Sequence, residues 1–167
     1  MSSSRLRVIS GSVGFVFLGG PMIVAGIVPW LLTRWDADPQ PFALRIVGVA
    51  LLLVGGALVV ETTARFALQG RGTPAPWAPP ERFVERGSYR FVRSPMYLGV
   101  ILLILGQALL LGREILYAWA VVAWVIFELS LVTWEEPQLR RRFGATYDDY
   151  RRRVNRWLPT RPRSPRY

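Results

Sequence analysis

An all-α integral membrane protein with about four transmembrane helices is the fold class this sequence predicts, on three observations. Hydrophobic residues make up 51% of the 167, yet the formal net charge is +10. The two properties are segregated, with long apolar runs almost free of charge and arginines between them. The arginines also gather on alternate connections between the runs. At this length one membrane domain, residues 1–167, is expected.

The absence of Cys and His excludes disulfides, thiolate nucleophiles and imidazole bases. It also removes the usual ligands of zinc and haem, so no metal is expected, and no nucleic-acid partner either. Carboxylates, Tyr, Arg and backbone groups remain as chemical tools.

The first span covers residues 8–32. It carries no charge and is too long for the apolar region of a signal peptide. A kink is expected near Pro21. Ser10, Gly11, Gly14, Gly19 and Gly20 would admit a neighbouring helix closely. Residues 35–41 form a polar turn with two prolines and two aspartates. The second span, 42–60, has Arg45 near enough to its start to snorkel, and Gly55-Gly56 suits tight packing. Glu61 and Arg65, four apart, predict a structural ion pair. Residues 67–80 are rich in Gly, Pro and Ala and cannot continue the helix; a loop on the membrane surface is expected, anchored by Trp77.

Span three, Pro95–Leu111, opens on Ser94, whose hydroxyl is expected to cap an orphan backbone N–H, and on Pro95, which suits the first helical position. Its length is about 26 Å at 1.5 Å per residue, slightly short of a bilayer core. Gly112-Arg113-Glu114 is a tight turn, so span four, 115–134, returns beside span three as a helical hairpin. In the tail, Phe143, Tyr147, Tyr150, Val154 and Trp157 recur at helical spacing and predict one docking stripe. Asp148 with Arg152 and Asp149 with Arg153 are set for i,i+4 pairs. Residues 159–167, rich in Pro and Arg, are expected to be disordered.

Four spans put the N-terminus, the second connection and the tail on one side. Those segments hold 2, 6 and 10 arginines against 3 on the other side. The excess of arginine on one side predicts that both termini are cytoplasmic in a cell (inner) membrane.

Glu135-Glu136-Pro137 stands where span four leaves the bilayer, where the helix dipole prefers cations. Glu128 lies seven residues earlier, on the same face of an ideal helix and inside the apolar run, a depth at which an ionisable group is functional or tightly paired. Trp124, Glu128, Leu131 and Glu135 are expected to line a cavity. Within the hairpin, Arg93, Ser94 and Tyr97 should approach Glu135 and Glu136, with Tyr147 and Tyr150 folding over them. Carboxylates and aromatic faces suit an organic cation, and a helix N-terminus suits a carboxylate. A ligand with both charges, and an apolar partner arriving from the bilayer, would fit.

Four motifs in order carry a resemblance: Gly87-x-Tyr89-Arg90-x-Val92-Arg93-x-Pro95-Met96-Tyr97-Leu98-Gly99, Glu135-Glu136-Pro137, Phe143-Gly144-x-x-Tyr147-x-x-Tyr150, and Val154-x-Arg156-Trp157-x-Pro159. Over residues 82–159, about half the chain, the sequence resembles the integral-membrane methyltransferases, the isoprenylcysteine carboxyl methyltransferases and phospholipid N-methyltransferases. The resemblance implies methyl transfer from S-adenosyl-L-methionine to a lipid-like or isoprenoid-like acceptor at the cytoplasmic face. It implies cofactor binding by Tyr89, Arg93, Ser94, Pro95, Tyr97, Gly99, Glu135, Glu136, Tyr147 and Tyr150. Arg153, orienting an acidic acceptor, and Glu136 are the expected catalytic residues; Trp124, Glu128 and Arg156 are expected to meet the acceptor.

The family usually has His at Ser94 and Gly-Pro-Tyr at Gly87-Ser88-Tyr89. Ser94 can hydrogen-bond but cannot serve as a base near neutral pH. A carboxylate acceptor needs no base, which tilts the expectation mildly toward carboxyl O-methylation over amine N-methylation. Two other readings are a sterol-reductase-like enzyme, for which no Gly-rich dinucleotide loop is present, and a scaffold binding anionic lipids through its arginines, each contributing about 1 kcal/mol.

Overall fold

The computed structural model describes residues 19–69 and 87–160, and all regular structure among them is helical. The helices are α1 (Gly19–Thr33), α2 (Phe42–Gln69), α3 (Pro95–Leu111), α4 (Ile115–Phe143) and α5 (Ala145–Arg153), with a single 3₁₀ turn at Gly87–Arg90 before α3. By length and composition α2 and α4 can each cross a membrane; only 17% and 22% of their most apolar stretches are buried within the protein. Side chains such as Leu53, Val60, Val121 and Leu129 face outward. An apolar exterior of this kind is solvated by lipid. α1 and α3 are shorter apolar helices.

Glycine sets the closest contact in the bundle. Gly48 and Gly55 on α2 face Gly106 and Gly99 on α3. A Cβ at Gly55 would stand 2.7 Å from the Gly99 carbonyl oxygen, and one at Gly106 would stand 2.8 Å from that of Gly48. The two backbones therefore touch, which lipid-embedded helices achieve only through small residues. Gly55 packs as its sequence predicts, whereas Gly19, Gly20 and Gly56 would meet nothing within 4 Å. Gly99, read from the sequence as a cofactor residue, points its Cα at α2. On its other side α3 contributes Val100, Ile104 and Ala108 to a core with Leu116, Ala120 and Ala123 of α4 and Ala25 of α1.

Several boundaries differ from the sequence reading. Two residues beyond Pro21, where a kink is expected, a π-helical stretch runs over Ile23–Ile27 and ends two residues before Pro29. Val28 donates its N–H to the Ile23 carbonyl, five residues back, and Pro29 has no N–H to give. The Val24 and Ala25 carbonyls thus lose their intrahelical donors. Trp119 Nε1 on α4 donates to Val24 at 2.8 Å, and Gln107 Nε2 on α3 donates to Ala25 at 2.7 Å. A proline in one span is thereby repaired by polar side chains of two others, as an apolar interior requires.

α2 continues through Gln69, past the expected start of the loop at residue 67, because nothing before Gly70 interrupts it. Trp77, Ser10, Gly11 and Gly14 lie outside the described residues, as does most of the expected disordered tail. Thr160 of that tail is fixed, donating its N–H to the Phe91 carbonyl at 2.8 Å. Span three matches its expected bounds, and Gly112 closes it with φ +68. At that end Asp38 donates its N–H to Leu111, and Arg113 reaches back to the Asp36 carbonyl and the Asp38 carboxylate at 3.1 and 3.2 Å. Span four runs on to Phe143. The single helical stripe expected from Phe143 to Trp157 is broken at Gly144, whose φ of +49 ends α4, and again after Arg153. Tyr147, Tyr150 and Val154 still pack together against Leu139 and Phe143, but Trp157 goes elsewhere.

The glycine seam predicts the response to one added methyl. Gly55→Ala should destabilise the protein by about 1–3 kcal/mol, by overpacking backbone against backbone. Gly56→Ala should be neutral or stabilising, since a helical glycine costs about 1 kcal/mol relative to alanine. Thermal unfolding in detergent micelles checks both.

Candidate functional site

A second π-helical stretch, Leu131–Glu135, interrupts α4, and again it ends two residues before a proline, Pro137. Glu136 donates its N–H to Leu131, five residues back. In an unbroken α-helix Glu135 would sit within about 20° of Glu128 and Glu136 about 80° away. A π turn inserts one residue without added rotation. It brings Glu136 onto the Glu128 face and swings Glu135 round by roughly 100°. This corrects the expected Glu128–Glu135 face.

The partners follow that rotation. Arg156 Nη1 donates to Glu128, while its Nη2 and Nε donate to Glu136 Oε1 at 2.8 and 3.1 Å. Arg93 Nη1 adds a further bond to Glu136 Oε1 at 2.8 Å, and Trp157 Nε1 donates to Glu128 Oε2 at 2.8 Å. Glu136, 8% exposed, is held between two guanidiniums. Glu135 instead faces α3, where the Tyr97 hydroxyl donates to it; the Tyr97 ring stacks on Phe127 at 4.5 Å. Among the described residues no arginine pairs with Glu135.

Ser94 occupies the N-cap position of α3 but makes no capping bond, contrary to the sequence expectation. Its φ of −127 and ψ of 58 lie away from the usual extended N-cap geometry. The hydroxyl is buried and without a partner among the described residues, as is the neighbouring Arg93 Nε. Buried donors at a helix N-terminus are what an anionic ligand group would satisfy.

Around this core the loop and tail are woven together. The Tyr150 hydroxyl donates to the Tyr89 carbonyl at 2.7 Å, and the Arg93 N–H to the Asn155 carbonyl at 2.9 Å. Ser88 Oγ donates to Glu61 Oε2 at 2.5 Å, while Arg65 pairs with Glu61 as its spacing predicts. Burial, then the nearby Tyr150, Glu135 and Glu61, pushes the Tyr89 phenol far above its ordinary range. Burial and then Glu136 push Tyr147 up as well, against the opposing pull of Arg93. Both phenols are neutral at physiological pH and present uncharged walls.

The structure thus brings together Tyr89, Arg93, Ser94, Pro95, Tyr97, Glu135, Glu136, Tyr147 and Tyr150, with Glu128 about two turns deeper and Arg156 bridging it to Glu136. The Trp124 ring lies 6.2 Å from that of Trp157. Arg153, partly buried near the end of α5, has its Nε 3.0 Å from Asp149. The Asp149 carboxyl is held below its usual range by hydrogen bonds from Arg153, then Arg152. Asp148 does not pair with Arg152; Arg140 takes it at 2.8 Å, and Arg152 turns to Asp149 at 3.4 Å, since the break at Gly144 folds α5 back beside the end of α4. Sequence reasoning missed the Glu61–Ser88 bond, which joins segments 27 residues apart, and the Phe127 stack. Only Pro137 signalled the change of phase in α4. No group that could hold a metal is present among the described residues.

Comparison with known proteins gives a consistent set. The phospholipid methyltransferase family profile matches residues 43–146, more than half of the chain. Methanethiol S-methyltransferase 2 of Bradyrhizobium diazoefficiens is 38% identical over 71 residues, 42% of this chain and 26% of that protein. Protein-S-isoprenylcysteine O-methyltransferase of Schizosaccharomyces pombe is 35% identical over 80 residues, 47% of this chain and 34% of that protein. Methanethiol S-methyltransferase 1 of Bradyrhizobium diazoefficiens is 32% identical over 135 residues, 76% of this chain and 46% of that protein. The matches span less than half the length of these three relatives. No solved structure matches the chain significantly.

The shared guanidinium makes a direct prediction. Arg156→Ala leaves two carboxylates short of a cation and should cost about 3 kcal/mol. Glu128→Gln in the same chain should then add less than it costs alone, because the two residues share one interaction. Denaturant unfolding of the four variants of the cycle measures this.

Proposed function

Because the chain belongs to the phospholipid methyltransferase family of integral-membrane methyltransferases, we propose that it transfers a methyl group from S-adenosyl-L-methionine to a lipophilic acceptor at the cytoplasmic face of a cell membrane. The observation that carries this reading is the charge layout of the cluster. Glu135 is a half-buried carboxylate bonded to a phenol and, among the described residues, to no arginine; close by, the N-terminus of α3 offers two buried donors, Ser94 Oγ and Arg93 Nε, without a partner among those residues. One pole suits a cation and the other a carboxylate. S-adenosyl-L-methionine carries both, with one positive charge in excess, and supplies a methyl group on a sulfonium that needs no further activation.

In this reading Arg93, Ser94 and the α3 N-terminus hold the carboxylate pole, and Glu135 with Tyr97 holds the cationic one. Tyr89, Tyr147 and Tyr150 form neutral walls, and Pro95 sets the direction of the helix start. Gly99 acts through the seam with α2. Glu136 keeps Arg93 and Arg156 in place, and the depth of Glu128 and Trp124 in α4 suits an acceptor arriving from the bilayer. Arg153 orients an acidic acceptor from α5, with Asp149 as its resident counter-ion. In this reading the chain forms one membrane domain with four spans, and the arginine excess supports cytoplasmic termini.

Carboxyl O-methylation remains favoured over amine N-methylation, since an anionic oxygen needs no base and the chain has no histidine. A second reading, S-methylation of a thiol, is favoured by one observation. Arg156 and the Arg93 Nη1 are already engaged by Glu128 and Glu136, and the Arg153 that an acceptor carboxylate would need is already held by Asp149. Two relatives are methanethiol S-methyltransferases by name.

Calorimetry on the detergent-purified protein tests the proposal. S-adenosylhomocysteine should bind, and a nicotinamide dinucleotide should not. Absence of heat with S-adenosylhomocysteine, from protein that unfolds cooperatively, would contradict it.

A further inference from the structure

The π-helical stretches among the described residues share one local cause. Each ends two residues before a proline, at Ile23–Ile27 with Pro29 and at Leu131–Glu135 with Pro137. Proline lacks an N–H and its ring collides with the carbonyl four residues back; widening the preceding turn by one residue relieves that collision. In α1 the widened turn is tied down by Trp119 and Gln107. In α4 it is tied down by the cluster itself, since Arg156 bridges Glu128 before the bulge and Glu136 after it.

We propose that Pro137 is a positioning residue of the site, which by forcing the π turn decides which glutamate faces the ligand. With the bulge, Glu135 meets Tyr97 on α3 and Glu136 meets Arg93 and Arg156. Without it, every residue beyond Leu131 rotates by about 100°. Glu135 then comes onto the Glu128 face and Glu136 leaves the arginines. Two adjacent, chemically identical carboxylates are given separate tasks by backbone phase alone. The cofactor part of this inference rests on the proposed function; the phase part does not.

The test has two arms on the full-length protein. The chain contains no cysteine, so pairs of introduced thiols report register without background. With a short bifunctional thiol reagent, Y97C with E135C should cross-link efficiently and Y97C with E136C poorly. In the Pro137→Ala background this preference should weaken or reverse. An unchanged preference in that background overturns the proposal, whatever the protein binds. In the second arm, Pro137→Ala should weaken S-adenosylhomocysteine binding at least about tenfold, the scale of losing one charge-assisted hydrogen bond to the ligand. Deleting Val132 in that variant should restore most of the affinity, because one residue fewer in an unbroken helix returns Glu135 and Glu136 to their native phase. A merely structural role for Pro137 would not be rescued by shortening the helix. If the deletion deepens the loss, the proposal fails; if the parent itself does not bind, it is the proposed function that fails.

Discussion

A charge inside an apolar helix has to be neutralised where it stands, and in this protein the Arg156 guanidinium bridges two carboxylates while Arg93 supplies the second positive charge. It reaches Glu128 and Glu136 from the segment that follows α5, and the other features at this end of the bundle depend on that bridge. The bridge draws Trp157 onto Glu128. It lets Arg93 share Glu136, and it holds the chain after Arg153 close enough for Asn155 and Thr160 to bond with Arg93 and Phe91, just before α3. Removing one partner of such a buried pair is far more costly than never having built it. The cluster is therefore cooperative, and the loop before α3, the end of α4 and the tail stand or fall as a unit.

The rest of the fold supplies the rigid frame for this unit. α2 and α3 are locked backbone to backbone by four glycines, and α1 is fastened to α3 and α4 by two side chains that donate to the carbonyls Pro29 leaves free. In lipid no water can take up a displaced carbonyl, so each break in a helix is answered by a neighbour. The same proline chemistry that is purely structural in α1 sorts the two glutamates in α4.

Much of this was legible in the residues. Hydropathy and arginine placement predict an all-helical membrane protein, and α3 begins and ends where Ser94-Pro95 and Gly112 say it should. The approach of Arg93 and Tyr97 to the Glu135-Glu136 pair follows from a short hairpin. The rest was hidden for physical reasons. An ideal 3.6-residue period pairs Glu128 with Glu135, and only a change of phase reveals Glu136 as the true companion. Ser94 has a good capping side chain, but a buried backbone geometry that withholds it. The tail stripe keeps its aromatic cluster while losing its helix, because Gly144 permits a break that spacing alone does not register. Contacts such as Ser88 with Glu61 are set by tertiary folding and have no local signature.

In the proposed function the two glutamates differ, Glu135 with Tyr97 serving the ligand and Glu136 holding Arg93 and Arg156 in place. Binding of labelled S-adenosyl-L-methionine measured beside thermal unfolding, for Glu135→Gln and Glu136→Gln, tests this most directly. Glu135→Gln should lose binding while keeping its unfolding temperature, and Glu136→Gln should unfold at a clearly lower temperature. Full binding by Glu135→Gln, or equal destabilisation by the two substitutions, would contradict it.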